Sequence, residues 1–135
     1  MMSVVLDSSV VGCWCFPDEA SPVAEAALSA VTTDGLVVPA VWWFDVRNLL
    51  VTGERHGRMD PAGTAGFLAD LATLPIRIDH APASDAVLAL ARVHRLTVYD
   101  AAYLELALRV DARLATLDKK LATAARAVGA PLVGA

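Results

Sequence analysis

LTVYDAAYLELALR, Leu96 to Arg109, is the stretch on which the fold reading turns. Its first residues, Leu96-Thr97-Val98-Tyr99, form a short apolar run that reads as a strand. Asp100 follows, and the chain then becomes a strong helix former, with Ala102, Leu106 and Leu108 at roughly helical spacing. A strand that delivers one carboxylate to the start of a helix lies, in an open parallel sheet, at the crevice where ligands bind. The same device occurs twice more: VVLD ends at Asp7, and LATLD ends at Asp118.

Working outward, Ser3–Leu6, Leu36–Val38, Pro75–Ile78 and Arg113–Ala115 read as further strands, with Pro75 marking an edge. Leu132-Val133 adds a short terminal strand. Helices are expected over about 9–16, from Ser21-Pro22 to a turn at Thr32–Gly35, over 40–56, 60–72, 81–94 and 119–128. Serine or aspartate caps, first-turn prolines and closing glycines punctuate them. This alternation of strand and helix implies one α/β domain with a parallel sheet covered by helices.

The chain has 135 residues, enough for one domain with a real core. Hydrophobic residues make up 56% and charged residues 19%, which argues against disorder and for some apolar surface buried against a partner. The net charge of −4 looks wrong for handling nucleic acid. Set aside Asp7, Asp45, Asp100 and Asp118, however, and the remaining acids equal the 11 Lys and Arg. Bound cations would offset the four, so charge excludes neither an RNA substrate nor a small one. Cys13 and Cys15 are two apart, too few and too badly placed for a zinc site or a mutual disulfide, which fits a reducing, cytoplasmic setting. No run approaches the ~18 apolar residues of a membrane span, and the apolar N-terminus has no basic leader. No glycine-rich phosphate loop is present.

Taken singly, Asp7, Asp100 and Asp118 are explained as helix caps. Taken together they converge if their strands are neighbours, and clustered carboxylates repel unless a cation neutralises them. Oxygen-only donors point to Mg²⁺ or Mn²⁺. Asp45 is different: it lies inside the helix over 40–56, in the apolar segment VWWFDV, with Asn48 three residues on and on the same helical face. Together they could project a carboxylate and an amide towards the crevice. Ser9 and Thr116 flank the acids and can donate to carboxylates or phosphates, as can Ser8. His56, His80 and His94 sit at helix ends and turns, Trp42 and Trp43 read as core or interface, and Arg47, Arg55 and Arg58 read as solvated cations able to touch RNA phosphates.

These residues carry a resemblance. VVLDSSVVGCWCFPDE, VPAVWWFDVRNLL, LTVYDAAYLELALR and LATLDKKLATAARAVG together resemble a PIN domain, and more specifically the VapC toxin of VapBC toxin–antitoxin pairs, over nearly the whole chain. The resemblance implies a three-layer α/β/α PIN-like domain over residues 1–135 with a central, mostly parallel five-stranded sheet. It implies an endoribonuclease dependent on Mg²⁺ or Mn²⁺, with Asp7, Asp45, Asp100 and Asp118 catalytic, Asp7, Asp100 and Asp118 on the metal, and Ser9, Asn48 and Thr116 in support. It further implies a VapB-type antitoxin whose tail covers the cleft, an RNA substrate, a homodimer formed through the early helices and the Trp42–Trp43 region, and a heterotetramer or larger with antitoxin. One position departs: the family usually has glutamate where this chain has Asp45, one methylene shorter and set back by roughly 1.5 Å. A displacement of about 1 Å can cost on the order of a hundredfold in rate, so a PIN scaffold that binds RNA or antitoxin without efficient cleavage is the alternative. A phosphohydrolase using Asp7 as nucleophile is disfavoured, since Ser9 stands where a second acid is wanted.

Overall fold

In the computed structural model, which describes residues 2–134, one four-stranded parallel sheet runs in the order β3-β2-β1-β4. β1 (Val4–Leu6) leads into α1 (Ser8–Cys15), a 3₁₀ turn (Pro17–Glu19) and α2 (Pro22–Asp34). β2 (Leu36–Pro39) is followed by α3 (Val41–Arg55) and α4 (Pro61–Leu71), and β3 (Ile76–Asp79) by α5 (Ser84–His94) and α6 (Val98–Arg109). β4 (Arg113–Ala115) and α7 (Lys119–Ala127) complete the chain. β1 and β2 are buried at every residue, as the central strands of a parallel sheet are. α2 and α6 both pack on β1 and β4 without extensive contact with each other, as helices on opposite faces do.

The helix ends follow the local chemistry. The Ser21 hydroxyl accepts from the Ala24 N–H ahead of Pro22, and the Asp60 carboxylate accepts from the Gly63 N–H ahead of Pro61. Thr32–Asp34, expected as a turn, complete α2, and Gly35 alone turns the chain at φ +86. Gly53 in α3 is required by packing, since a Cβ there would stand 2.6 Å from Cζ of Phe16.

The sheet differs from expectation in number: it has four strands, not five. Leu96–Tyr99 is not a strand. α5 ends on Arg95 in the left-handed region (φ 54), and α6 already begins at Val98. The Thr97 hydroxyl accepts from the Asp100 N–H at 3.0 Å, so Thr97-Val98-Tyr99-Asp100 is a helix-opening sequence. That local hydrogen bond outweighs the apolar character that suggested a strand. Leu132-Val133 falls short of a strand as well. Leu132 forms one parallel bridge to Leu114, with bonds from the Leu114 N–H to Pro131 O and from the Val133 N–H to Leu114 O, which cover the outer edge of β4.

Topology fixes where a site can form. From β1 the chain winds outward to β2 and β3, then returns to lay β4 on the other side of β1. The winding reverses between β1 and β4, and a crevice opens there beyond their carboxyl ends. Leu6 pairs with Ala115, so Asp7 and Thr116 leave the sheet side by side.

Candidate active site

Asp7 is the hub of the crevice. It is buried, and both of its oxygens are engaged. Oδ1 accepts from the Ser9 N–H at 3.2 Å and from the Ser9 hydroxyl, and Oδ2 accepts from the Thr116 hydroxyl at 2.6 Å. Each hydroxyl is itself held by a backbone donor: Leu117 N–H to Ser9 Oγ and Asp118 N–H to Thr116 Oγ1, both at 3.0 Å. The loop after β4 and the start of α1 are thereby tied together through one carboxylate. Burial nevertheless pushes the Asp7 carboxyl above its ordinary range, against its hydrogen bonds, and the charge of Asp100 adds to the effect.

The other acids arrive from three helices. Asp118 caps α7, its Oδ1 accepting from the N–H groups of Lys120 (2.9 Å) and Leu121 (3.1 Å). Asp100 sits in the first turn of α6, capped by Thr97 rather than capping. Its carboxyl is raised first by burial, then by the charge of Asp118, with Asp45 adding to it. Asp45 reaches the group from α3, and its Oδ2 accepts from the Tyr103 hydroxyl at 2.6 Å. Burial and then the bond to Asp45 hold the Tyr103 phenol far above its ordinary range, with Asp7 and Asp100 adding to the effect.

Asp100 therefore acts electrostatically with each of the other three predicted acids, and Ser9 and Thr116 bind Asp7 as expected. Asn48 does not join them: it is exposed and makes no side-chain hydrogen bond among the described residues. The capping explanation holds for Asp7 and Asp118 and fails for Asp100. Trp42 is buried in the core, which removes it from any subunit interface, while Trp43 and Phe44 are exposed and stack edge to face. Cys13 is buried and Cys15 half-buried, both free. Two expected RNA cations are engaged elsewhere, Arg58 with Asp18 and Glu19, and Arg47 over the Trp43 ring. The cations near the acids are ones that the sequence did not single out. Lys119 and Arg126, with Thr123, line a cleft of about 360 Å³ together with Thr116 and Asp118. Their spacing on α7, at i, i+4 and i+7, was the available signal. Tyr103 was also missed, although it lies one turn beyond Asp100 on the same helix.

None of the ion pairs among the described residues involves Asp7, Asp45, Asp100 or Asp118. No three His, Cys, Asp or Glu side chains among the described residues close on one point as a ready-made cage. Mg²⁺ does not require one, because it keeps several waters and is held by one or two carboxylates plus substrate phosphates. The donors fit it in type, being hard oxygens. They fit in charge, being an unpaired anionic group. They fit in capacity, because Asp7 uses three of its roughly four acceptor positions, and Oδ2 of Asp118 accepts no bond among the described residues.

Comparisons with known proteins agree with this architecture. The family profile of the PIN domain matches residues 4–127. Ribonuclease VapC3 of Pyrobaculum aerophilum is 32% identical over 125 residues, covering 90% of this chain and 93% of that protein. The crystal structure of PAE2754 from Pyrobaculum aerophilum superposes with a TM-score of 0.73 at 23% identity, over 98% of this chain and 84% of that one. Mycobacterium tuberculosis VapC20, described as a sarcin-ricin loop cleaving toxin, matches with a TM-score of 0.60 at 11% identity, over 90% of this chain and 95% of that one. The chain belongs to the PIN domain family and is VapC-like. No helix among the described residues is long and apolar enough to cross a membrane.

Proposed function

We propose that this chain is a single PIN domain acting as a metal-dependent endoribonuclease, the toxin of a type II toxin–antitoxin pair. The observation that carries the reading is that Asp100 interacts with Asp7, Asp45 and Asp118 at the switch point of the sheet, with none of the four in an ion pair among the described residues. Structural carboxylates are paired; a set left unpaired is suited to a cation and an anionic substrate. Asp7, Asp100 and Asp118 would hold Mg²⁺ or Mn²⁺, which when bound supplies charge neutralisation and Lewis acidity. Ser9 and Thr116 fix Asp7. Asp45, whose Oδ1 accepts no bond among the described residues, takes the proton of the attacking water. Lys119 and Arg126 on the lip of the cleft hold backbone phosphates of the RNA. The homologue's ribonuclease activity supports the reaction class, and its VapC character supports a VapB-type antitoxin partner, a homodimer and a cytoplasmic setting.

The test is cleavage of RNA by purified protein in Mg²⁺, with Asp7→Asn and Asp100→Asn as the decisive variants. Both should lose activity by at least about a hundredfold; retention by both sinks the assignment. One observation favours a weakened enzyme instead: Asp45 stands where the family usually carries the longer glutamate. Mg²⁺ uptake by calorimetry without detectable cleavage, tested alongside, would favour that reading.

A further inference from the structure

Tyr103 is only 1% exposed, and its ring is part of the core between α6 and the sheet. A buried phenol needs a hydrogen-bond partner. Its partner here is a carboxylate 58 residues away, Asp45 on α3, at 2.6 Å. A bond that short to a charged acceptor is among the stronger kinds in proteins. It occupies Oδ2 of Asp45 and leaves Oδ1 without a bond among the described residues. Tyr103 also follows Asp100 by one helical turn, so both lie on the same side of α6. The helix thus supplies one acid directly and holds a second through a phenol.

We infer that Tyr103 is a positioning residue for the cleavage reaction: its hydroxyl fixes the shortened acid Asp45 by one oxygen and so aims the other into the crevice. This rests on the reading of the four aspartates as a nuclease site. A carboxylate without this anchor would rotate about its two side-chain torsions. Aspartate, set back by about 1.5 Å relative to glutamate, has less reach to recover from misplacement. Partners that orient a metal-site carboxylate from behind are commonly worth about 10–100-fold in metal affinity or activity.

The experiment is a double-mutant cycle on the full chain, using a mixed-sequence RNA and Mg²⁺. Tyr103→Phe, which removes one oxygen and keeps the ring, should lower kcat by about 10–100-fold with KM within roughly twofold. Calorimetry with Mg²⁺ alone, without RNA, should show binding within about twofold of wild type, because Asp45 takes the proton while Asp7, Asp100 and Asp118 hold the ion. In an Asp45→Ala background the same change should cost less than about twofold more, because there is no carboxylate left to hold. A purely structural tyrosine would lower both backgrounds equally. A second measurement does not need the tyrosine variant to fold. The chain has two tyrosines, so ¹³Cζ labelling gives two resonances, and Tyr99→Phe assigns them. The Tyr103 resonance should move on Asp45→Ala. An unmoved resonance, an unchanged kcat in Tyr103→Phe, or equal losses in both backgrounds overturns the Tyr103 assignment while leaving the nuclease reading intact. Wild-type protein that neither cleaves RNA nor takes up Mg²⁺ overturns the nuclease reading, and this assignment with it.

Discussion

The two ends of α6 each gather carboxylates, and they hold them in opposite ways. At the C-terminal end, Arg109 donates to both oxygens of Glu105 (2.9 and 3.1 Å) and to both oxygens of Asp79 (3.2 and 2.7 Å). Glu105, 3% exposed, also accepts from the Ala83 N–H at 2.8 Å. One guanidinium pairs with both carboxylates of this group, cutting its charge from −2 to −1, and ties β3, the start of α5 and the end of α6 together. The Arg109 bond holds the Asp79 carboxyl below its ordinary range. At the N-terminal end, Asp100 faces Asp118 and Asp45, with Asp7 beyond, and both Asp100 and Asp7 are pushed up. Asp100 gains a little from the helix dipole in the first turn and from the charge of Lys120, but no cation forms an ion pair with it among the described residues. One helix thus shows how a fold closes an acid pair, and how it leaves another set open at a cost in stability. Charge that is paired inside the chain serves the fold; charge left unpaired has to be met from outside.

Removing one charge from each end tests this contrast most severely. Asp100→Asn should cut RNA cleavage by at least about a hundredfold and raise the melting temperature in metal-free buffer, because it relieves repulsion. A variant that loses activity and also melts earlier would place Asp100 with the structural acids. Arg109→Ala should do the reverse. Removing one partner of a buried pair costs about 3 kcal/mol or more, and the partial exposure of Arg109 places this variant at the lower end. Denaturant unfolding should report that loss, while cleavage per folded molecule stays at the wild-type level.

Much of this contrast was legible in the sequence alone. Asp7, Asp118 and the strands before them follow from short apolar runs ending in an acid, and the parallel sheet follows from the alternation of elements. The misreading of Leu96–Tyr99 has a physical cause. Four apolar or β-branched residues suit a strand, but Thr97 three before Asp100 offers the backbone a side-chain acceptor, and capping took the segment into α6. The acid still reaches the crevice because a helix start can deliver it as well as a strand end. Helical spacing puts Asn48 on the same side of α3 as Asp45, but it does not say how deep each lies: Asp45 is half-buried and held by Tyr103, while Asn48 stays exposed. Tyr103 escaped because its partner is 58 residues away and nothing local marks the pairing; for Arg109 the i, i+4 spacing from Glu105 was legible, but its bond to Asp79, 30 residues away, was not.

Added cation should widen the difference between the two ends. A ligand that binds only the folded state stabilises it by about 1.4 kcal/mol at ten times its dissociation constant. Mg²⁺ should therefore raise the melting temperature of the wild-type chain and of Arg109→Ala, since both keep all four aspartates of the crevice. Asp100→Asn should lose most of the response. An equal rise in all three proteins would mean that the ion acts as general salt, and the open cluster would lose its distinction.

The smallest effect is in pH, and here the two ends should pull in opposite directions. A carboxyl raised by folding binds protons more readily folded than unfolded, so stability falls as pH rises from about 3.8 through the raised value. Asp7 and Asp100 are in this class. A carboxyl lowered by folding does the opposite: the stability from Asp79 is complete above about 3.8 and is lost as pH falls through its depressed value. Metal-free protein acidified from neutrality should first gain stability, about 1.4 kcal/mol for every tenfold by which folding strengthens proton binding, and then lose it below about pH 3.8. Asp100→Asn should shrink the gain to the share from Asp7 and keep the loss; Asp79→Asn should keep the gain and flatten the loss. Thermal melts from about pH 3 to about pH 7 read both limbs in one series. A wild-type curve that falls steadily on acidification would mean that the acids of the crevice carry no net repulsion in solution, and the two ends of α6 would then be alike.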